Sequence, residues 1–245
     1  MNPGIYEELA RVEEKHFWMR ARAEYITSIF EELVAKKAKI IEIGSSTGNI
    51  ARVLAKSGYS DVAAGDVHAS ALAFAGAYGI KNLYQFDMMR SPFREHFEAV
   101  GMFDVFEHLD DEAGAVENIL RMLKPGGLVL ATVPAHMWLW NREDAVASHR
   151  RRYTVSRFRS IFEKAGLSVL KARYFFASIV PLLLLRSLSH RDRGEVLAED
   201  FMNRFKVNTV INLLLGKLLD AESRFFSKVN FCCGGSVLLV ARKNT

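Results

Sequence analysis

The chain has 245 residues, half of them hydrophobic and a quarter charged, and 33 lysines and arginines against 28 aspartates and glutamates leave a net charge of +5. That composition excludes a disordered, collagenous or disulfide-stapled chain, and the length fits one large α/β domain with an elaboration. The only two cysteines, Cys232 and Cys233, are adjacent, a spacing that suits neither an ordinary disulfide nor a metal site. With no basic-then-apolar leader at the N-terminus, they predict a cytoplasmic protein. A pI near 9.2 permits nucleic acid, anionic lipid or phosphorylated partners and selects none of them.

In chain order, residues 5–35 carry helical spacing with many charges. Ile40–Ile43 reads as a first strand, Ile50–Ala55 as a helix, and the run ending at Asp66 as a second strand. Ala69–Tyr78 is an Ala-rich helix, and the segment before Asp87 a third strand. A fourth strand ends near Asp104, a helix follows from about Asp111 to Leu123, and Lys124–Gly127 (KPGG) reads as a turn into a fifth strand, LVLATV. Thr154–Ala165 is helical, Leu167–Tyr174 a sixth strand, and the last strand starts at Ser236. Strand alternating with helix predicts an α/β, Rossmann-like doubly wound sheet with helices on both faces.

In such a sheet ligands sit beyond the carboxyl ends of the strands, near the switch point. The stretch KIIEIGSSTGNIARVLAKSG puts Gly44 and Gly48 between the first strand and its helix, with Ser46 between them and Glu42 just before. A pyrophosphate loop wants a third glycine and no acid at the strand tip. A carboxylate there suits a cationic amine or sulfonium. Asp66 falls where an acid accepts from ribose hydroxyls, and Asp87 where one takes the exocyclic amine of adenine. Ribose, adenine and a cationic amino-acid tail together describe S-adenosyl-L-methionine.

These residues resemble a class I S-adenosylmethionine-dependent methyltransferase over roughly residues 36–175 plus the last strand. Glu42, Gly44 and Gly48 match the family's acid–glycine loop, with Ser46 in place of its central glycine. Asp66 (with Val67 following) matches the ribose acid, and Asp87 with Met88 the adenine contacts. The segment from Asp104 through Glu107 and His108, DVFEH, matches the one after strand four. The resemblance implies a seven-stranded sheet whose last strand is antiparallel and lies beside the fifth. His16, Phe17, Trp18 and Arg20 resemble a bacterial subgroup of small-molecule, polysaccharide- or lipid-pathway enzymes. By that analogy residues 1–35 form an N-terminal helical lid on a 36–245 catalytic domain, with Trp18 and Arg20 at the cofactor.

An oxygen acceptor needs a base near neutral pH, for which His108 and His149 are the candidates, with Asp144 to orient one of them. His16, His68, His96, His136 and His190 read as surface or structural. No further glutamate and histidine stand near Glu107 and His108 in sequence to complete a metal set, so no metal is expected. Arg150, Arg151 and Arg152 read either as an acceptor-phosphate clamp or as a solvated basic turn.

Residues 175–226 hold two apolar stretches, YFFASIVPLLLLRSL and VNTVINLLLGKLLDAESRFF, the first too short to span a bilayer. They read as core-covering helices, as a homodimer interface, or as a helical insertion shaping the site for a greasy or membrane-embedded acceptor. Arg186, Arg191, Arg193, Arg204 and Lys206 keep peripheral membrane contact open. The expected function is methyl transfer to oxygen or nitrogen of a small-molecule or lipid-linked acceptor. The alternatives are an RNA methyltransferase and a non-catalytic cofactor-binding module. DNA is not expected, because the acid-Pro-Pro-aromatic clamp for an extruded base and a strand-tip cysteine are both missing.

Overall fold

The computed structural model describes residues 3–189, 205–225 and 229–245. Its centre is β1 (Lys39–Ile43), whose apolar run is buried on both faces, as a central parallel strand must be. Around it lie β2 (Asp61–Asp66), β3 (Asn82–Gln85), β4 (Phe97–Phe103), β5 (Leu123–Pro134), β6 (Ser168–Phe175) and β7 (Ser236–Arg242). The strand order is β3-β2-β1-β4-β5-β7-β6. The first five strands run parallel, and β7 enters antiparallel between β5 and β6. The doubly wound sheet and its reversed last strand are thus as expected, and the order reverses between β1 and β4, where a ligand crevice opens.

Helices cover both faces. α1 (Pro3–Lys15), α2 (Phe17–Leu33), α3 (Asn49–Lys56) and α4 (Ala69–Ala77) lie on one side, with Ile26, Phe30, Ile40 and Leu54 in its core. α5 (Glu112–Met122) and α7 (Val155–Lys164) lie on the other, around Phe97, Phe106, Phe158 and Phe162. β7 serves both cores by simple alternation: Leu238 and Val240 face the first, Val237 and Leu239 the second. Between β5 and α7 sits the short α6 (Arg142–Val146); between β6 and β7 come α8 (Val180–Ser189) and α9 (Thr209–Phe225).

Two elements differ from expectation. The helical spacing over residues 5–35 belongs to two helices, broken at His16, whose ψ of 127° is extended. The break is held by α9: the Asn212 side chain accepts from Phe17 N–H (2.8 Å) and donates to the Lys15 carbonyl (2.8 Å), satisfying the end of one helix and the start of the next. The KPGG segment is no free turn but the bulged start of β5. Phe97 pairs with Leu123 and Ala99 with Leu128, and Gly126 takes up the extra residues at φ +75°.

Candidate active site

The loop after β1 runs through three left-handed residues, Gly44 (φ +66°), Ser46 (φ +49°) and Gly48 (φ +77°). A Cβ on Gly44 would lie 2.5 Å from Val105 Cγ2, and one on Gly48 2.6 Å from Ala75 Cβ, so close approach as well as conformation demands glycine there. Ser46 bears the strain that a central glycine would avoid. Its N–H donates to Asp66 Oδ2 (2.9 Å), while His68 N–H donates to Oδ1 (2.9 Å). Asp66 therefore ties the glycine loop to the start of α4. Asp87 sits exposed one strand further, capping a short turn at Met89 N–H (2.9 Å), with Met88 buried beneath it. Val67 is half exposed on the same rim.

Glu42 is buried beneath the loop and accepts from Ala51 N–H (2.7 Å). Burial pushes its carboxyl up to about 8, against that hydrogen bond and the charge of Arg22; Glu13 and Asp66 push the same way. Glu13, on α1, accepts from the Thr47 hydroxyl and is itself raised by burial to about 7. Arg52 of α3 pairs with Glu14. α1 is thus fastened to the glycine loop by one side-chain contact and to α3 by another.

Arg22 of α2 answers these acids. It pairs with Asp104, which stands at the tip of β4 with φ +55° and also accepts from Thr132 Oγ1 (3.0 Å). Burial holds the Arg22 guanidinium below its ordinary value, opposed by Glu13, Glu42 and Glu107. Sequence matching pointed to Trp18 and Arg20, which the structure turns elsewhere. Trp18 packs on Phe176 (5.1 Å between rings) and Gly235, and Arg20 pairs with Asp220 of α9 (3.1 Å). Arg22, one helical turn beyond Trp18, is the residue that reaches the strand tips; that i+4 spacing was the available signal.

Beside Asp104 lies a second group. Glu107 is fully buried, neither of its oxygens takes a hydrogen bond from another of the described residues, and burial pushes its carboxyl up to about 8. His149 brings Nε2 to 3.8 Å from Glu107 Oε1, and its ring meets that of His108 edge-on at 4.9 Å. Asp144 orients His149: Oδ1 takes Nδ1 at 2.8 Å and Arg152 Nε at 2.8 Å, and Oδ2 takes Asn141 N–H at 2.9 Å. Burial alone would raise Asp144, but the hydrogen bonds from His149 and Arg152 and the Arg152 charge hold it low. The three arginines are each engaged, Arg150 with Asp110, Arg151 with Glu112 (2.9 Å) and Arg152 with Asp144.

Of the remaining histidines, His136 is buried between the rings of Trp138 and Tyr174, and His68 leans on Asp66 at 3.3 Å. His190, Arg191, Arg193 and Arg204 lie outside the described residues.

Residues 16–172 match the methyltransferase domain family, and the chain belongs to it. No curated protein matches the chain. Among solved structures, a Bacillus halodurans protein assigned as a methyltransferase is 20% identical with TM-score 0.60, over 89% of this chain and 99% of that one. A Thermotoga maritima S-adenosylmethionine-dependent methyltransferase is 15% identical with TM-score 0.59, over 98% and 95%. Phosphoethanolamine N-methyltransferase 2 of Haemonchus contortus, solved with S-adenosyl-L-methionine, is 21% identical with TM-score 0.58, over 91% and 52%. The protein is an S-adenosylmethionine-dependent methyltransferase. The residues at the strand tips fit that cofactor. Glycines line the loop where backbone must come close, a buried carboxyl waits for a cation, and the Ser45 hydroxyl is buried without a partner among the described residues.

Proposed function

We propose that the enzyme methylates an oxygen or nitrogen of a small-molecule or lipid-linked acceptor while seated on an anionic bilayer. When bound, the cofactor supplies a methyl group on a cationic sulfur. Gly44, Ser46 and Gly48 open the backbone to it, Asp66 and Val67 take the ribose side, and Asp87 with Met88 takes the adenine. Glu42 and Asp104 balance the cationic tail, and α1, fastened through Glu13 and Glu14, covers the pocket as a lid. Trp18 and Arg20 leave this set because their contacts lie with Phe176 and Gly235 and with Asp220 of α9. His108 and His149 serve the acceptor, Asp144 fixing the ring of His149 so that Nε2 faces inward. Alignment and exclusion of water supply the rest of the rate.

The observation that carries the lipid reading is the outward face of α8 and α9. Leu182, Leu184, Leu185 and Leu188 on α8 are exposed, as are Val210, Ile211, Leu213, Leu214 and Leu218 on α9. The charges of α9 are sorted to match. Asp220 pairs inward with Arg20, and buried Glu222 holds the N–H groups of Ala177 and Ser178 (both 2.8 Å), whereas Lys217 and Arg224 stay exposed. An apolar face edged by cations suits an anionic surface. No described helix is long and apolar enough to cross a membrane, so the contact is peripheral.

Co-sedimentation with vesicles of mixed phosphatidylglycerol and phosphatidylethanolamine tests this. Wild type pellets at low salt, and Leu213→Ser/Leu214→Ser or Lys217→Glu/Arg224→Glu shifts it to the supernatant with S-adenosylmethionine affinity unchanged. Wild type that stays in the supernatant overturns the membrane reading.

A further inference from the structure

We propose that Glu107, His108 and His149 bind a divalent transition-metal ion of the zinc(II) class. One ligand atom from each of the three lies within 4.8 Å of the others. Two independent observations point to an ion there. Glu107 is a fully buried carboxyl with no hydrogen bond from another residue to either oxygen among the described residues, its own N–H being the one donor near it, an arrangement that costs free energy unless a cation or proton meets it. His149 Nδ1 lies 2.8 Å from Asp144 Oδ1 and its Nε2 stands 3.8 Å from Glu107 Oε1. With the ring proton on Nδ1, a cation seated between Nε2 and the carboxylate would take a bond from each.

The surrounding geometry is that of a metal site. A carboxylate behind a ligating imidazole fixes its tautomer and raises its basicity, and Asp144 occupies that place, itself held by Arg152 and the Asn141 N–H. Metal–ligand bonds of about 2.0–2.2 Å require ligand atoms roughly 3–3.5 Å apart, so Glu107 Oε1 and His149 Nε2, 3.8 Å apart here, would draw together slightly around an ion. Two imidazoles and one carboxylate select a borderline transition metal over magnesium or calcium, which prefer all-oxygen sets. Three protein ligands leave a position open, as in catalytic sites. The third ligand was not visible near Glu107 and His108 in sequence; the fold delivers His149 from the far end of β5.

On the methyl-transfer reading, on which this role alone rests, an acceptor hydroxyl takes the open position. The ion would lower the pKa of that hydroxyl, its proton would pass to solvent, the O–CH3 bond would form as the S–CH3 bond breaks, and S-adenosylhomocysteine would leave. His149 then acts by holding the ion, not by removing the proton itself.

The test is titration of metal-stripped full-length protein with cobalt(II) and then zinc(II), in a Cys232→Ser/Cys233→Ser background that removes the adjacent thiols. One equivalent of cobalt(II) should give the visible absorption of a four- or five-coordinate site, bleached by zinc(II), with a rise in Tm. Glu107→Gln and His149→Ala should weaken binding at least 100-fold, and Asp144→Asn by roughly 10- to 100-fold. His108→Asn, at the half-exposed ligand, serves where the buried variants fail to fold. Wild type that takes up no more cobalt(II) or zinc(II) than His149→Ala or His108→Asn overturns the site. Transfer of labelled methyl, measured separately, decides the function: transfer at full rate in metal-stripped protein sinks the acceptor role and keeps the site, whereas a missing cobalt(II) and zinc(II) signal sinks both.

Discussion

Buried glutamates set the pH response of the pocket, Glu107 with its carboxyl raised to about 8 among them. Glu13 and Glu42 have folded pKa values raised by burial to about 7 and about 8, against roughly 4.3 in an unfolded chain. Between those limits the unfolded chain gives up protons that the folded chain keeps. The stability tied to these groups is therefore full below the unfolded pKa and is lost as pH rises through about 7 and 8. Melting curves of ligand-free protein should show Tm falling across that window, with a shallower slope in Glu42→Gln; equal slopes in the two would dismiss the assignment. A cationic ligand next to Glu42 favours its ionised form, so cofactor binding near neutral pH should release protons, read by calorimetry in buffers of different ionisation enthalpy. Asp66 acts at the same scale. Asp66→Ala removes an acceptor of charge-assisted hydrogen bonds and should weaken S-adenosylmethionine binding by about 1–3 kcal/mol. An unchanged dissociation constant would remove that acid from the ribose.

Helices and loops explain which parts of the site could be read from the chain. Glu42, Gly44, Ser46, Gly48 and Asp66 were legible because one strand, one loop and the next strand place them by local spacing. Glu13, Arg22 and Thr47 were not, because their contacts depend on where α1 and α2 come to rest against the sheet, dozens of residues away. The same holds for His149 and Glu107, which meet only once β5 and the capped α6 have turned the chain back. The break at His16 had no sequence mark either. Neither glycine nor proline stands there, and the interruption is held by a side chain of α9. The KPGG segment carried turn chemistry honestly enough, but the register between β4 and β5 converts that turn into a bulge.

For the molecule as a whole, the parallel, doubly wound sheet followed from strand–helix alternation, and its seven strands with the reversed last one beside the fifth from the resemblance. The outer covering of residues 175–226 did not, since periodicity gives an apolar face without saying what lies against it. Exposure now divides that face: Gly216, Leu219 and Glu222 turn inward, and Leu213, Leu214 and Leu218 outward. Burying a leucine fully is worth about 1.5–3 kcal/mol, and a basic residue near an anionic surface about 1. The half-exposed leucines thus outweigh the two cations of α9, and added salt should weaken vesicle binding without ending it. Asn212 joins this surface to the opposite end of the pocket. It stands on α9 yet bridges α1 and α2, while α1 is latched to the cofactor loop through Glu13 and to α3 through Glu14. Residence time is where that bridge shows itself. Asn212→Ala should leave the sheet intact but free the hinge of α1, and stopped-flow displacement should record S-adenosylmethionine leaving several-fold faster from the variant than from wild type. On the membrane reading proposed above, vesicles should slow that release in wild type and not in the variant, which would tie the lifetime of the bound cofactor to the surface the outer helix meets.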